Sequence, residues 1–274
     1  MVKITASEVN KLRKMSGAGI MDCKNALVES KGEFDLAIEI LRKKGQKVAA
    51  KRAERESSEG AVIAKVDSNC IKGVIISLNC ETDFVAKNDG FISLANELAE
   101  LALQSSSLDE FLNSKIDSMK VSEKLIQQTG VIGEKLIIGS FEKLSAPYVG
   151  KYIHAGNKIA TLSGFSHSIE GIEEISKNVA MQAAAMNPIA LDESGVDQTT
   201  IDKEIEIAKD QLRQEGKPEA MLDNIANGKL KRFFKDNTLV NQAFIKDSKQ
   251  SVAEYLKSTN TDLKVTGFKR VSLV

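Results

Sequence analysis

Cysteine and histidine, the residue types that most often carry nucleophilic or metal chemistry, are few and widely spaced in this sequence. Cysteine occurs as Cys23, Cys70 and Cys80, and histidine as His154 and His167. No Cys-x-x-Cys pair is present, so the ligand spacing of structural zinc sites is missing. We expect reduced thiols of the kind found in cytosolic proteins, a structural role for His154 beside its glycine turn, and neither a metal nor a cofactor.

Sequence motifs of nucleotide-binding and hydrolytic enzymes are also missing. There is no Gly-x-x-x-x-Gly-Lys-Ser/Thr loop, no His-Glu-x-x-His and no Gly-x-Ser-x-Gly. Gly17 and Gly19 begin a dinucleotide-binding pattern, but they follow a predicted helix instead of a strand and lack the third glycine. The sequence therefore predicts a protein without catalytic residues, which is not an enzyme.

One segment, residues 79–88, has a composition that suits binding. It follows a predicted buried strand and is mostly polar, yet it contains Phe84 and Val85. In one interpretation Thr82 caps a short helix, Asp83 favours the positive helix end, and Phe84 packs onto the core. In the other, Phe84 is an exposed aromatic on a rigid tip that enters a pocket of another protein.

The charge balance argues against a general nucleic-acid binder. Lys plus Arg and Asp plus Glu number 38 each, so no basic surplus is available to displace counterions. Residues 42–55 are locally basic and are interpreted as a solvated helix end and linker, with an RNA- or ribosome-binding patch as the alternative function. No apolar run approaches the roughly 20 residues that span a bilayer, and the first residues resemble no leader, so we expect a cytoplasmic protein.

Hydrophobic periodicity predicts the elements that position these residues. Residues 1–55 read as three helices, the first opened by Thr5 and Glu8 at capping-box spacing. Strands followed by a helix then occur twice, at about 60–105 and about 135–187, which indicates two related α+β halves. Residues 199–236 predict a charged antiparallel helical hairpin that projects from the body.

The fold class is therefore α+β, with a core of two related subdomains. The predicted domains are a three-helix docking domain (1–55), a first core subdomain (56–134), a second core subdomain (135–198 and 237–260), the helical hairpin (199–236) and a C-terminal strand or module (261–274).

Two longer motifs resemble signatures of the elongation factor Ts family. Residues 15–27, Met-Ser-Gly-Ala-Gly-Ile-Met-Asp-Cys-Lys-Asn-Ala-Leu, are similar to its N-terminal signature. Residues 79–87, Asn-Cys-Glu-Thr-Asp-Phe-Val-Ala-Lys, are similar to its central signature. Shorter resemblances follow in order along the chain, at 152–156, 185–188, 216–218 and 265–268.

The resemblance implies both a fold and a function. The fold would comprise a ubiquitin-associated-like three-helix domain, two α+β subdomains, a helical hairpin and a C-terminal module. The function would be that of a translation elongation factor that binds the GDP form of the GTPase elongation factor Tu, displaces Mg²⁺ and releases GDP, passing through a nucleotide-free complex before GTP rebinds. Some members self-associate through the hairpin; contact with membrane or nucleic acid is not expected.

The resemblance also assigns roles to residues of this chain. The N-terminal domain would dock on the partner through the surface around Ile20 and Met21. The part that enters the nucleotide domain of the partner would be the tip, formed by Thr82, Asp83, Phe84 and Val85.

Overall fold

The computed structural model describes residues 3–274; Met1 and Val2, at the start of the predicted docking domain, lie outside the described residues. The chain combines helices with small antiparallel sheets, which confirms the α+β class. The helices are α1 (Ala6–Ser16), α2 (Ile20–Glu29), α3 (Phe34–Lys51), α4 (Asp83–Ala86), α5 (Asp89–Ala102), α6 (Leu108–Asn113), α7 (Val121–Ile132), α8 (Ile172–Met186), α9 (Gln198–Gln214), α10 (Glu219–Asn237) and α11 (Val252–Thr259). The strands are β1 (Glu59–Val66), β2 (Lys72–Cys80), β3 (Lys115–Ile116), β4 (Met119–Lys120), β5 (Ile137–Ser145), β6 (Tyr148–Ile153), β7 (Ile159–Phe165), β8 (Ala243–Phe244), β9 (Asp247–Ser251) and β10 (Val265–Ser272).

Helices α1 to α3 form a unit with its own small core, as the periodicity predicts. The capping box is present, because the Thr5 hydroxyl accepts a bond from the Glu8 N–H at 3.2 Å and the Glu8 carboxylate accepts one from the Thr5 N–H at 2.7 Å. Helix α1 ends at Gly17, whose φ of 70° is the left-handed conformation that glycine adopts readily. Leu12 and Leu27 are fully buried in this core. We call α1 to α3 the three-helix unit.

Helix α3 continues to Lys51 and so contains most of the basic stretch, residues 42–55. It lies against α7, and the two helices approach most closely at Gly45 and Gly130. A Cβ atom on Gly130 would lie 2.4 Å from the Cα of Gly45, closer than any side chain could fit. Helix α3 is therefore packed against α7 at Gly45, whereas Lys47 and Lys51 in its last turns are exposed, as expected for a solvated helix end.

The first sheet has the strand order β1-β2-β5, and all its pairs are antiparallel. Strands β1 and β2 form an antiparallel hairpin. The placement of β5 differs from the predicted grouping, which put residues 135–144 with the second half. In the structure β5 returns beside β2, with Ser77 opposite Ser140, because sequence periodicity gives a strand but not its neighbour. The domain boundaries themselves remain a prediction.

The second sheet has the order β10-β7-β6, so the predicted C-terminal strand completes it. Helix α8 packs on this sheet, and Gly150 allows the close approach, since a Cβ there would lie 2.3 Å from the Cβ of Ser176. Alternate residues of β1 and β2 point to opposite faces. Ile63 and Ile76 join the core under α5, whereas Val62 and Ile75 pack against the second sheet.

Helices α9 and α10 form the predicted helical hairpin. Leu212, Leu222 and Ala226 are buried along it, and Arg213 pairs with Glu219 across its end at 2.8 Å. The short hairpins β3-β4 and β8-β9 were not predicted from the sequence. Within residues 3–274 no helix is both long enough and apolar enough to span a membrane.

Candidate functional site

The segment singled out by its composition forms a tight corner at the end of β2. The chain leaves the strand at Cys80, turns at Glu81 and Thr82, and enters α4. Thr82 has extended backbone angles, and its hydroxyl accepts a bond from the Val85 N–H at 3.4 Å, so it is the predicted N-cap. Val85 packs against the main core. We call Glu81 and Thr82 the corner. The cap and the packing of Val85 give it a defined shape.

Phe84 lies on the outside of this corner and is 83% exposed. The expectation that it packs onto the core is therefore wrong, and the exposure required by the alternative interpretation is confirmed. Burying a phenylalanine side chain stabilises a fold by about 2 kcal/mol, and the exposed Phe84 does not make that contribution. Among the large apolar side chains of residues 3–274, only that of Val274 is equally exposed. An aromatic held outward by a capped corner suits insertion into another surface.

The carboxylate of Glu134, just beyond the end of α7, accepts hydrogen bonds from both residues of the corner. Its two oxygens accept bonds from the Thr82 hydroxyl at 2.7 Å, the Thr82 N–H at 3.0 Å and the Glu81 N–H at 3.1 Å. Because a carboxylate is an acceptor with several lone pairs, one side chain can satisfy three donors. Sequence analysis did not identify Glu134, which is 52 residues from Thr82 and carries no local signal.

The carboxylate of Glu81 belongs to the corner and in turn binds residues outside it. It accepts a bond from the Lys135 N–H at 2.7 Å, and both of its oxygens lie 2.7 Å from Nη1 of Arg52. Partial burial opposes ionisation of Glu81, but the Lys135 N–H and the Arg52 guanidinium outweigh it, so the pKa of Glu81 is lowered. The Lys135 ammonium also donates to the carbonyls of Ala53 at 2.7 Å and Arg55 at 2.9 Å. These contacts join the corner to the segment that follows α3.

Asp83 occupies the first turn of α4 and pairs with Lys87 one turn later, at 2.6 Å. The hydrogen bond from Lys87 lowers the pKa of Asp83, and the same bond raises the pKa of Lys87. Asp83 is therefore ionised at neutral pH, in the position where the helix dipole favours a negative charge.

The cysteine behind the tip is unsuited to nucleophilic chemistry. Cys80 is fully buried and its thiol donates to the Thr82 carbonyl at 3.2 Å. Burial raises the pKa of Cys80 to about 11, with the charge of Glu134 acting in the same direction. His154 is exposed at the end of β6, with its Nδ1 3.0 Å from the Tyr152 hydroxyl. Among residues 3–274 no three His, Cys, Asp or Glu side chains form a group that could hold a metal ion.

Ile20 and Met21 lie in the first turn of α2, where they are 52% and 61% exposed. Met15, at the end of α1, is 56% exposed. The three side chains give the three-helix unit an apolar surface at the α1–α2 junction. They are separate from the tip, which belongs to the end of β2.

Several cations of the basic stretch are bound within the chain. Arg52 contacts Glu81, Lys44 pairs with Asp22, and Lys43 pairs with Glu39 at 2.8 Å. These carboxylates reduce the positive charge that the stretch offers to an RNA phosphate backbone.

Comparison with known proteins gives a consistent family assignment. The family model described as Elongation factor TS matches residues 81–273. Proteins named Elongation factor Ts from Christiangramia forsetii and Flavobacterium psychrophilum are 69% and 65% identical over 273 residues, covering the whole of each chain. One of the same name from Amoebophilus asiaticus is 49% identical and covers 98% of each chain.

These matches place the α+β chain and its exposed tip in the class of translation elongation factors. Within that class, the chain belongs to the elongation factor Ts family.

Proposed function

We propose that this protein promotes the exchange of guanine nucleotide on the GTPase elongation factor Tu, and that it makes and breaks no covalent bond itself. The observation that carries this proposal is the exposure of Phe84 on a capped, anchored corner. Membership of the elongation factor Ts family supports the choice of partner. The surface around Ile20 and Met21 would dock the three-helix unit on the same partner.

The proposed mechanism acts on the Mg²⁺ ion of the partner. In a GTPase this ion bridges the nucleotide phosphates to protein oxygens and requires near-ideal octahedral geometry. Phe84 would fill an apolar gap in the partner and shift one side of that site. Asp83, ionised at the head of α4, would attract polar groups close to the ion. Thr82 and Val85 would hold the shape of the tip, which agrees with the capping and packing contacts they make.

The exchange activity is a coupling between two ligands of one protein. If this chain weakens the binding of GDP to the partner, GDP must weaken the binding of this chain by the same factor. Each tenfold loss of affinity corresponds to about 1.4 kcal/mol of binding free energy. Docking surfaces away from the nucleotide, including Ile20 and Met21, would supply the binding energy that the tip uses to distort the ion site.

The test is stopped-flow release of a fluorescent GDP from elongation factor Tu. Phe84→Ala should slow the stimulated release at least tenfold, because a truncated aromatic anchor commonly costs about 2 kcal/mol or more. The matched control is Ile71→Ala. Ile71 is also an exposed apolar residue, and it lies beside the other end of β2, roughly 30 Å away by strand length. Equal release rates for Phe84→Ala and the wild type would remove Phe84 from the mechanism.

A further inference from the structure

We propose that Glu134 is a positioning residue for the tip, and that Glu81 and Arg52 extend its effect to the segment that joins the three-helix unit to the core. The inference rests on the proposed exchange function and concerns how the tip is kept ready for it. Glu134 would act through Thr82 and Phe84 and would not itself touch the partner's nucleotide.

Helix α4 is too short to hold its own shape. It has four residues, and helices of this length are unstable alone because nucleation is costly. The N–H groups at the start of a helix also lack partners within it. At this corner, Glu134 accepts from the N–H of Thr82, the N-cap of α4, and also from the N–H of Glu81, which precedes the helix. The direction in which Phe84 projects therefore depends on Glu134, from a distant part of the sequence, as well as on the Thr82 cap and the packing of Val85.

The contact between the corner and the end of α7 is reciprocal. Glu134 binds the backbone of the corner, and Glu81 of the corner binds the backbone N–H of Lys135. Each carboxylate thus holds the chain segment that carries the other, and we call this pair of contacts the clasp. Two contacts in opposite directions restrict rotation of the corner relative to the end of α7, which a single hydrogen bond would allow.

The segment that follows α3 is bound to the same group of residues. Arg52 bonds both oxygens of Glu81, and the Lys135 ammonium bonds the carbonyls of Ala53 and Arg55. The side chain of Glu81 is 14% exposed, so its charge is mostly shielded from water and depends on these partners. These contacts therefore join the corner and the clasp to the segment that follows α3, the last helix of the three-helix unit. A partner bound to that unit would meet the tip in one fixed orientation.

The expected effect follows from the fraction of molecules whose tip is correctly oriented. If the corner samples several orientations, the rate at saturation falls with the competent fraction. The concentration that gives half of the maximal rate should change little, because the docking surfaces are intact. For Glu134→Ala we expect a maximal GDP release rate about tenfold lower and a half-saturating concentration within about twofold of the wild type.

The experiment measures GDP release from elongation factor Tu over a concentration series of each full-length variant. Glu134→Gln keeps one acceptor oxygen for the corner and should recover part of the maximal rate lost in Glu134→Ala. The control is Glu142→Ala, which removes a carboxylate on β5 that pairs with Lys269 at 2.8 Å and does not contact the corner. Glu142→Ala should match the wild type in both parameters.

A second measurement reports on the corner without the partner. The N–H of Thr82 is bonded to Glu134, so Glu134→Ala should accelerate its hydrogen exchange at least tenfold while the N–H groups of the β1–β2 pairs stay protected. If Glu134→Ala does not fold, Glu134→Gln is used for both measurements, with the same direction expected.

The outcomes separate the two proposals. If the wild type fails to accelerate GDP release, the proposed function is wrong and the exchange role of the clasp falls with it. If the wild type is active and Phe84→Ala impairs it, but the Glu134 variants keep the wild-type maximal rate, only the positioning role is overturned. A raised half-saturating concentration with an unchanged maximal rate would likewise overturn it.

Discussion

A Cβ atom on Gly130 would lie 2.4 Å from the Cα of Gly45, so helices α3 and α7 meet backbone to backbone. The relation is not symmetrical. A Cβ on Gly45 would meet its nearest neighbour, the Ile126 carbonyl oxygen, at 3.5 Å, which is an ordinary van der Waals distance. This contact fixes α3, the last helix of the three-helix unit, against α7, which ends just before Glu134.

The first prediction uses this asymmetry. Gly130→Ala should lower the free energy of unfolding by about 1–3 kcal/mol, because the added methyl group forces α3 and α7 apart. Gly45→Ala is the matched control and should be neutral or stabilising, since alanine is the better helix former by about 1 kcal/mol. Urea unfolding followed by circular dichroism measures both. Equal stabilities of the two variants would contradict the close helix contact.

The second prediction concerns pH and Glu81. Its pKa in the folded protein lies below the ordinary value of 4.5, so the folded state binds this proton less readily than the unfolded state. The resulting stability is complete above that value and is lost as the pH falls through the lowered pKa. Arg52 and Arg55 are the cations near Glu81.

The measurement compares the wild type with Glu81→Gln. The wild type should be more stable by about 1–2 kcal/mol near neutral pH, since charge-assisted hydrogen bonds are lost in the variant. The difference should shrink as the pH falls below 4.5 and through the lowered pKa of Glu81. A difference that stays constant or grows in acid would show that the charge of Glu81 does not stabilise the fold.

The third prediction concerns the thiols. Cys23 and Cys80 are fully buried, whereas Cys70 is partly exposed at the β1–β2 turn. A thiol reagent such as DTNB should therefore modify one cysteine quickly in the native protein and all three after unfolding. Cys80 should react last, because its pKa of about 11 leaves almost no thiolate at neutral pH.

The control for the fast phase is Cys70→Asn, because asparagine tolerates the φ of 54° at this position. This variant should lose the fast phase and keep the fold. A fast phase that persists would assign the reactive thiol to a residue that the structure buries.

The fourth prediction distinguishes the docking of this protein on its partner from the distortion of the partner's nucleotide site. Ile20→Ser and Met21→Ser should raise the concentration of this protein needed for half-maximal GDP release from elongation factor Tu, and leave the maximal rate unchanged. Both side chains are exposed, so thermal stability should stay within about 0.5 kcal/mol of the wild type. Leu36→Ser, at an exposed position on α3 of the same unit, is the control. An equal loss for Leu36→Ser would show that docking is not specific to the α1–α2 junction.

Those features of the fold that depend on residues close together in the sequence were predictable. The Thr5 and Glu8 pair marks the start of α1, and Thr82 caps α4, because both effects depend on residues three apart. The pairing of β5 with β2 was not predictable, because strand periodicity leaves the neighbour undetermined. At the tip, the sequence left the exposure of Phe84 open and gave no sign of Glu134 or Arg52. These two side chains reach the corner from 52 and 29 residues away, so only the folded chain brings them together.

The most direct test of the account is the thermodynamic coupling between this protein and GDP on elongation factor Tu. Titration calorimetry would give the affinity of the wild type and of Phe84→Ala for the nucleotide-free partner and for the GDP-bound partner. The ratio of the two affinities is the coupling factor, which must equal the factor by which the protein weakens GDP binding. We predict that Phe84→Ala reduces this ratio at least tenfold, about 1.4 kcal/mol of coupling free energy. An unchanged ratio in a folded Phe84→Ala variant would contradict the claim that Phe84 loosens the nucleotide.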